Sequence, residues 1–298
     1  IVIIGGGVVG LATAWELIKR GHQVQLLERN AEPASATSFA NGGQLSYRYV
    51  APLADSGVPL QGMKWMGKAD SPLNMRLNIS FQQWRWLLQF LRACNSQTNK
   101  INGDHILRLS LLSRQVMQSW REEDRLADFH WRRSGKLIIH RREYDFTKAA
   151  KGIDPQYQQV LNAEACLRLE PALKHISPSL QGGIYSPGDE TADCHQFCLA
   201  LIGKLTASSR FSLLTHCEVQ RLARRGGRVS ALETSRGTIT GDEYVVAAGN
   251  GSGPLLGHMG VRVPLCALKG YSLTLPYPQQ AGIAPDISVT DYGHKIVY

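Results

Sequence analysis

The chain has 298 residues, which at about 150 residues per domain gives an expectation of two domains. A hydrophobic share of 43% is ordinary for a globular protein and excludes wholesale disorder, and no apolar run approaches the roughly 20 residues that span a bilayer. The formal charge of +9 invites an acidic partner, yet the basic residues are scattered, apart from the pairs Arg132-Arg133, Arg141-Arg142 and Arg224-Arg225. None of these pairs interleaves with aromatics as a base-reading surface would, so no nucleic acid is expected; an anionic membrane surface or simple solvation accounts for the charge.

Ile1-Val2-Ile3-Ile4 is a short apolar run ending in Gly5-Gly6-Gly7, the pattern of a strand buried on both faces. No basic segment precedes it, so no secretory leader is expected. Val8 to Arg20 reads as a helix, with Leu11, Ala14, Trp15 and Ile18 at helical spacing and Gly21 as its left-handed end. Val24, Leu26 and Leu27 form a second strand that closes at Glu28, completing a βαβ unit. From Asn30 to Leu60 the chain is rich in small residues without a period, and an irregular loop of that length in a compact domain usually has a function.

Helical patterns follow at Phe81 to Cys94 and Ile106 to Arg125, short strands at Lys136 to His140 and Gly183 to Tyr185, and a helix at Asp193 to Thr206. Several strands with glycine turns occupy Phe211 to Ala247, the last of them running into Ala248-Gly249-Asn250-Gly251. The aromatic stretch Phe81 to Leu91 suits either a membrane-surface helix or one packed on a second domain. The six cysteines contain no C-x-x-C; Cys194, His195 and Cys198 lack a convincing fourth ligand, so buried thiols and no metal are expected. With a helical stretch at 50–130 between two βαβ-like ends, the expected plan is a nucleotide-binding domain interrupted by a second one.

Gly5-x-Gly7-x-x-Gly10 is weak evidence alone, but here it follows a strand, opens a helix and is followed by Glu28 at the end of the next strand. Gly5 permits the tight turn, Gly7 lets backbone approach a pyrophosphate, and Gly10 allows close helix–strand packing. The helix start at Val8 and Val9 offers N–H groups and positive dipole to phosphates, and Glu28 can accept from ribose hydroxyls. The fingerprint does not separate FAD from NAD. The loop Thr37-Ser38-Phe39-Ala40-Asn41-Gly42-Gly43-Gln44-Leu45-Ser46 would let amides approach a flavin, and is equally readable as a lid.

The fingerprint, this loop, Ala51-Pro52 with Gly57-Val58-Pro59-Leu60 and Lys64-Trp65-Met66, Asp189-Glu190-Thr191 with Asp193-Cys194, and Leu268 to Thr274 together resemble the bacterial D-amino acid dehydrogenases. The resemblance runs from the first residue to the last, although Asn41-Gly42-Gly43 departs from the usual Asn-Ala-Gly. It implies an α+β protein: a Rossmann-like FAD-binding domain at 1–50 plus 150–260, and an antiparallel-sheet substrate domain at 51–149 plus 261–298. It also implies oxidation of D-amino acids to 2-oxo acids and ammonia at FAD. The electrons would pass to a quinone or other respiratory acceptor, and the protein would sit peripherally on the cytoplasmic face of the inner membrane or in the cytoplasm.

By resemblance, Glu28 with Arg29 holds the adenosine ribose, and the segment Ser38, Asn41, Gly42, Gly43, Gln44, Leu45 wraps phosphates and flavin. Val219 lies beside adenine through its backbone, and Ala248 and Gly249 form a second pyrophosphate-side turn. Tyr49 and Tyr271 are the candidates for holding the substrate carboxylate, each also readable as an ordinary packed tyrosine; no acid–base catalytic residue is assigned. Two rivals stand beside this reading: an oxygen-using oxidase of the same fold, and a non-catalytic flavoprotein subunit. Members of the family continue beyond the position of Tyr298, and a substrate-facing arginine and a last glycine-rich segment are expected to belong to that stretch.

Overall fold

The opening apolar run forms the strand Val2–Ile4, buried along its length. Its neighbours Val24–Leu27 and Tyr244–Val246 run parallel to it, and Phe211–Leu214 extends the sheet beyond Val24–Leu27, again in parallel. Parallel strands are stable where both faces are covered, and alternation of side chains divides the covering. Val2, Ile4 and Leu27 pack with Leu222, Leu232 and Leu255. The first two partners come from an antiparallel sheet of Val219–Arg225, Arg228–Thr234 and Gly237–Ile239, the third from the helix Ser252–Gly257. Ile3 and Leu26 point the other way and are fully buried, as are Leu11, Ala14, Leu201 and Leu205 of the packed helices Val8–Lys19 and Cys194–Thr206. Each such leucine or isoleucine contributes roughly 1.5–3 kcal/mol relative to exposure.

Local chemistry places the ends of these helices. The fingerprint helix starts where Gly7 is still extended. It stops with Gly21 at φ +87°, where the Gly21 and His22 N–H groups donate to Ile18 and Leu17 carbonyls at 2.9 and 3.1 Å, the double closure of a Schellman motif. Asp193 caps the second helix by accepting from the Gln196 N–H at 3.0 Å.

The computed structural model describes residues 1–65, 81–274, 276 and 284–298; Met66 of the family-like stretch lies outside them. The chain divides into two units. The first is Ile1–Asn41, Leu126–His130 and Asp193–Ser272; the second is Gly42–Arg125, Trp131–Ala192 and Leu273–Tyr298.

The second unit is built on a five-stranded sheet ordered Ile296–Val297, Ser288–Asp291, Lys136–His140, Gly182–Ser186, Gln159–Asn162. It is antiparallel except for the pair Ser288–Asp291 and Lys136–His140, which is parallel, so the sheet is mixed rather than purely antiparallel. Leu137, Ile139 and Val289 pack with Cys166 of the helix Ala163–Leu169 and with Leu173 and Leu180.

The division differs from the expected one. Residues 150–192 join the second unit because Gly182–Ser186 pairs with both Lys136–His140 and Gln159–Asn162, while 261–272 stay with the first. The helix expected from Ile106 is Ser96–Glu122, beginning ten residues earlier; Asn95 caps it, accepting from the Thr98 N–H at 2.8 Å, in a polar stretch with no apolar period to announce it. The helix Phe81–Ala93 stacks Trp86 on Phe90 at 5.1 Å; among its described side chains none is fully buried, and Phe81, Trp84, Leu88 and Leu91 are exposed, so core packing accounts for one of its faces at most. Among the described residues no helix is long and apolar enough to cross a membrane.

Candidate functional site

In an open parallel sheet, ligands bind beyond the carboxyl ends of the strands. In the first unit three turns leave the sheet there: Gly5 to Val9 after the first strand, Glu28 to Asn30 after the second, and Ala247 to Gly251 after Tyr244–Val246. Together with the loop Ala34 to Asn41 and the stretch Cys217 to Gln220 they line a cavity of about 1020 Å³.

Each fingerprint glycine meets a different neighbour. Gly5 has φ +107°, and a Cβ on it would stand 2.6 Å from the Ala247 carbonyl oxygen. A Cβ on Gly10 would stand 1.9 Å from the Gly5 carbonyl oxygen, so the helix could not lie this close to the first strand. At Gly7 a Cβ would meet only Ser38 Oγ, at 3.4 Å. That glycine is therefore not demanded by protein packing; its bare backbone faces the cavity. The Val8 N–H donates to Ser38 Oγ at 3.0 Å. The N–H groups of Val9 and Gly10 in the same first turn have no intrahelical acceptor, and with the positive end of the helix dipole they suit an anion.

Glu28 is buried at the end of its strand. Its Oε2 accepts the Gly6 N–H at 2.8 Å and its Oε1 the Asn30 N–H at 2.9 Å. A carboxylate has about four lone-pair sites, so two remain for hydroxyl donors. Glu28 thus ties the glycine turn to the second strand and still presents acceptors to the cavity. Arg29, Ser38, Asn41, Val219, Ala248 and Gly249 also line the cavity. Beside it, the Cys194 thiol is lowered from its ordinary value by a hydrogen bond with Cys198, burial opposing and Asn41 and Ser38 assisting.

Of the remaining expected residues, all but Tyr271 belong to the second unit. Gly43 has φ +58°, and its carbonyl accepts the Ala192 N–H at 2.9 Å, so Gln44–Leu45 leaves the turn as a strand paired with Glu190–Thr191. Gly42 precedes it, against Val297. Gln44 Nε2 donates to Ser288 Oγ at 2.6 Å, and Gln44 Oε1 accepts from Lys136 Nζ at 2.6 Å. Tyr49 lies in this unit with its ring 4.9 Å from Lys136 Nζ, and burial, then Tyr292, raises its hydroxyl pKa. Tyr271 belongs to the first unit, is 89% exposed, and has Lys269 Nζ 5.1 Å from its ring.

Sequence reasoning missed Ser35, Ala36, Glu218, Gln220, Asn250 and His258 among the lining residues. A second glycine-rich turn after an apolar strand, Gly249-Asn250-Gly251, is the signal that extends the search to Asn250; nothing local marks His258. Also missed was Lys136, buried to 2% exposure on a strand read only for its apolar residues.

These residues fit the ADP portion of FAD: a side-chain-free cradle at a helix start, a carboxylate with spare acceptors, and room for a dinucleotide. A family model described as FAD dependent oxidoreductase matches residues 1–298. The chain is 49% identical over 299 residues to "D-amino acid dehydrogenase 2" of Pseudomonas aeruginosa, a match covering 100% of this chain and 71% of that protein. It is 40% identical over 306 residues to "D-amino acid dehydrogenase 2" of Ralstonia nicotianae, covering 100% and 72%. Among solved structures it is similar to an L-proline dehydrogenase from P. horikoshii at a TM-score of 0.65 and 16% identity, covering 98% of this chain and 63% of that one. That last likeness speaks for the fold alone.

Proposed function

Because this chain belongs to the FAD-dependent oxidoreductase family, and within it with the D-amino acid dehydrogenases, we propose that it takes part in oxidative deamination of D-amino acids to 2-oxo acids and ammonia, with electrons leaving to a quinone or other respiratory acceptor. The observation that carries the cofactor half of this reading is the cavity at the strand ends, with Gly7 bare and Glu28 poised over it. The substrate half rests on the 49% identity to a protein named for that activity.

When bound, FAD supplies the two-electron acceptor for hydride leaving the carbon that bears the amine. The chain's own residues bind and orient. The first-turn N–H groups at Val9 and Gly10 hold the pyrophosphate, Glu28 with Arg29 takes the ribose, and Val219 borders adenine. Ser38 and Asn41, with Ala248 and Gly249, continue the phosphate side. Gly42, Gly43, Gln44 and Leu45 border the flavin. Tyr49 and Tyr271 remain the candidates for the substrate carboxylate. Peripheral contact with the inner membrane accompanies the respiratory acceptor.

The deciding experiment is anaerobic reduction of the bound flavin by a panel of D- and L-amino acids, with and without a quinone. Faster reduction by D-enantiomers and reoxidation by quinone are expected. Preference for L-enantiomers overturns the substrate, and peroxide formation matching turnover in air identifies the oxidase instead.

A further inference from the structure

Lys136 is 2% exposed, and lysine is seldom buried unless its ammonium is satisfied. Here Nζ donates to Gln44 Oε1 at 2.6 Å and Ser46 Oγ at 2.8 Å, and stands 4.9 Å from the Tyr49 ring. Gln44 passes the tie onward, donating to Ser288 Oγ at 2.6 Å and Thr290 Oγ1 at 3.3 Å. The same segment turns at the left-handed Gly43, whose carbonyl accepts the Ala192 N–H at 2.9 Å, and pairs through the two-residue strand Gln44–Leu45 with Glu190–Thr191. Two further anchors act on Tyr47, whose N–H donates to Asp189 Oδ1 at 3.0 Å and whose hydroxyl donates to Glu190 Oε2 at 3.0 Å.

A buried ammonium is a poor means of adding stability, since apolar residues of similar volume often do as well. What an apolar residue cannot do is fix two neighbouring polar side chains in one geometry. We propose that Lys136 is a positioning residue, a clamp that holds Gln44, Ser46 and Tyr49 in register for the flavin-bordering role of that segment. The inference rests on the cofactor reading above for the flavin, and on this geometry alone for the clamp.

Burial lowers the ammonium to about 8, with the Asp189 carboxylate opposing. The other groups placed against it are the Tyr49 phenol, Ser288 and Thr290 by way of Gln44, and Ser186, its partner across the neighbouring strand. Near pH 8 the clamp therefore passes from ammonium to amine, and the segment it holds should respond there.

The test compares the wild-type protein with Lys136→Met in two arms. Without FAD, hydrogen exchange of the 42–49 backbone should rise at least tenfold in Lys136→Met, with exchange of the 1–28 segment unchanged. With FAD, the visible flavin band of the wild type should shift with pH near 8, and that step should vanish in the variant. Unchanged exchange in 42–49 overturns the clamp. Raised exchange with identical flavin spectra overturns the positioning role, because the segment held would not border the flavin. Failure of the wild type to take up FAD defeats the cofactor reading, while the exchange arm still decides the clamp. If Lys136→Met does not fold, Ser46→Ala, which keeps the ammonium, must raise exchange in the same peptide; no rise overturns the proposal.

Discussion

Gly7→Ala and Gly10→Ala place the same methyl group three residues apart in one turn, and the structure assigns them opposite consequences. At Gly7 the backbone is already extended, at φ −78° and ψ 179°, which any residue adopts, and the new Cβ would have Ser38 Oγ as its nearest neighbour at 3.4 Å. The expected loss of stability is that of a weakened helix cap, about 0.5–1 kcal/mol. The methyl would instead project into the cavity, where a close-fitting pyrophosphate would meet it. Overpacking of that kind costs about 1–3 kcal/mol, so FAD affinity should fall roughly five- to 150-fold. At Gly10 the methyl would sit 1.9 Å from the Gly5 carbonyl oxygen, a backbone atom that cannot swing aside. Helix and strand must separate, and the loss should reach or exceed about 3 kcal/mol with no ligand present. Urea denaturation of the apoprotein gives the stability of each variant, and quenching of flavin fluorescence on titration gives affinity. Unchanged FAD affinity in Gly7→Ala, or wild-type stability in Gly10→Ala, would refute these two roles.

Glu28→Ala should lower apoprotein stability by about 2–4 kcal/mol, because the buried Gly6 N–H and the half-buried Asn30 N–H lose a charged acceptor. It should also weaken FAD by roughly tenfold to a hundredfold, and calorimetric titration with unchanged affinity would remove Glu28 from the site. Since Lys136 has a lower pKa folded than unfolded, the unfolded chain binds more protons above about pH 8. Stability should therefore climb with pH from there toward the ordinary lysine range, and Lys136→Met should flatten that limb in thermal melts across pH. Asp291 is fully buried; burial raises its carboxyl, but the Arg141 bond at 2.7 Å and two contacts from His294 outweigh this and leave it below its ordinary value. Its contribution should be full above pH 3.8 and fade as pH falls below it. Asp291→Ala should cost about 3 kcal/mol at neutral pH, the low end for a broken buried pair because Arg141 keeps some solvent. A neutral-pH loss below about 0.5 kcal/mol, the ordinary size of a surface effect, would contradict it.

The first 28 residues determined their own structure to within a residue: strand, glycine turn, helix and strand lie where hydrophobic period and glycine spacing put them. That stretch is legible because its contacts are local, with Gly10 packing on Gly5 and Glu28 accepting from Gly6 inside one βαβ unit. The strand Lys136–His140 was equally legible as a strand, but its apolar period said that it was buried and not against what. Its partners are Gly182–Ser186 and Ser288–Asp291, tens to more than a hundred residues away, and that pairing carried 131–192 into the second unit. The same holds for the site. Gly5 and Glu28 announce themselves by local chemistry and Gly249 through the family resemblance, whereas Glu218 and His258 enter the cavity because the antiparallel sheet and the helix after it fold back over the strand ends. Lys136 is the sharpest case. A lysine opening an apolar strand reads as a solvated edge residue, and only the return of Gln44 and Ser46 from ninety residues earlier supplies the oxygens that let its ammonium stay out of water.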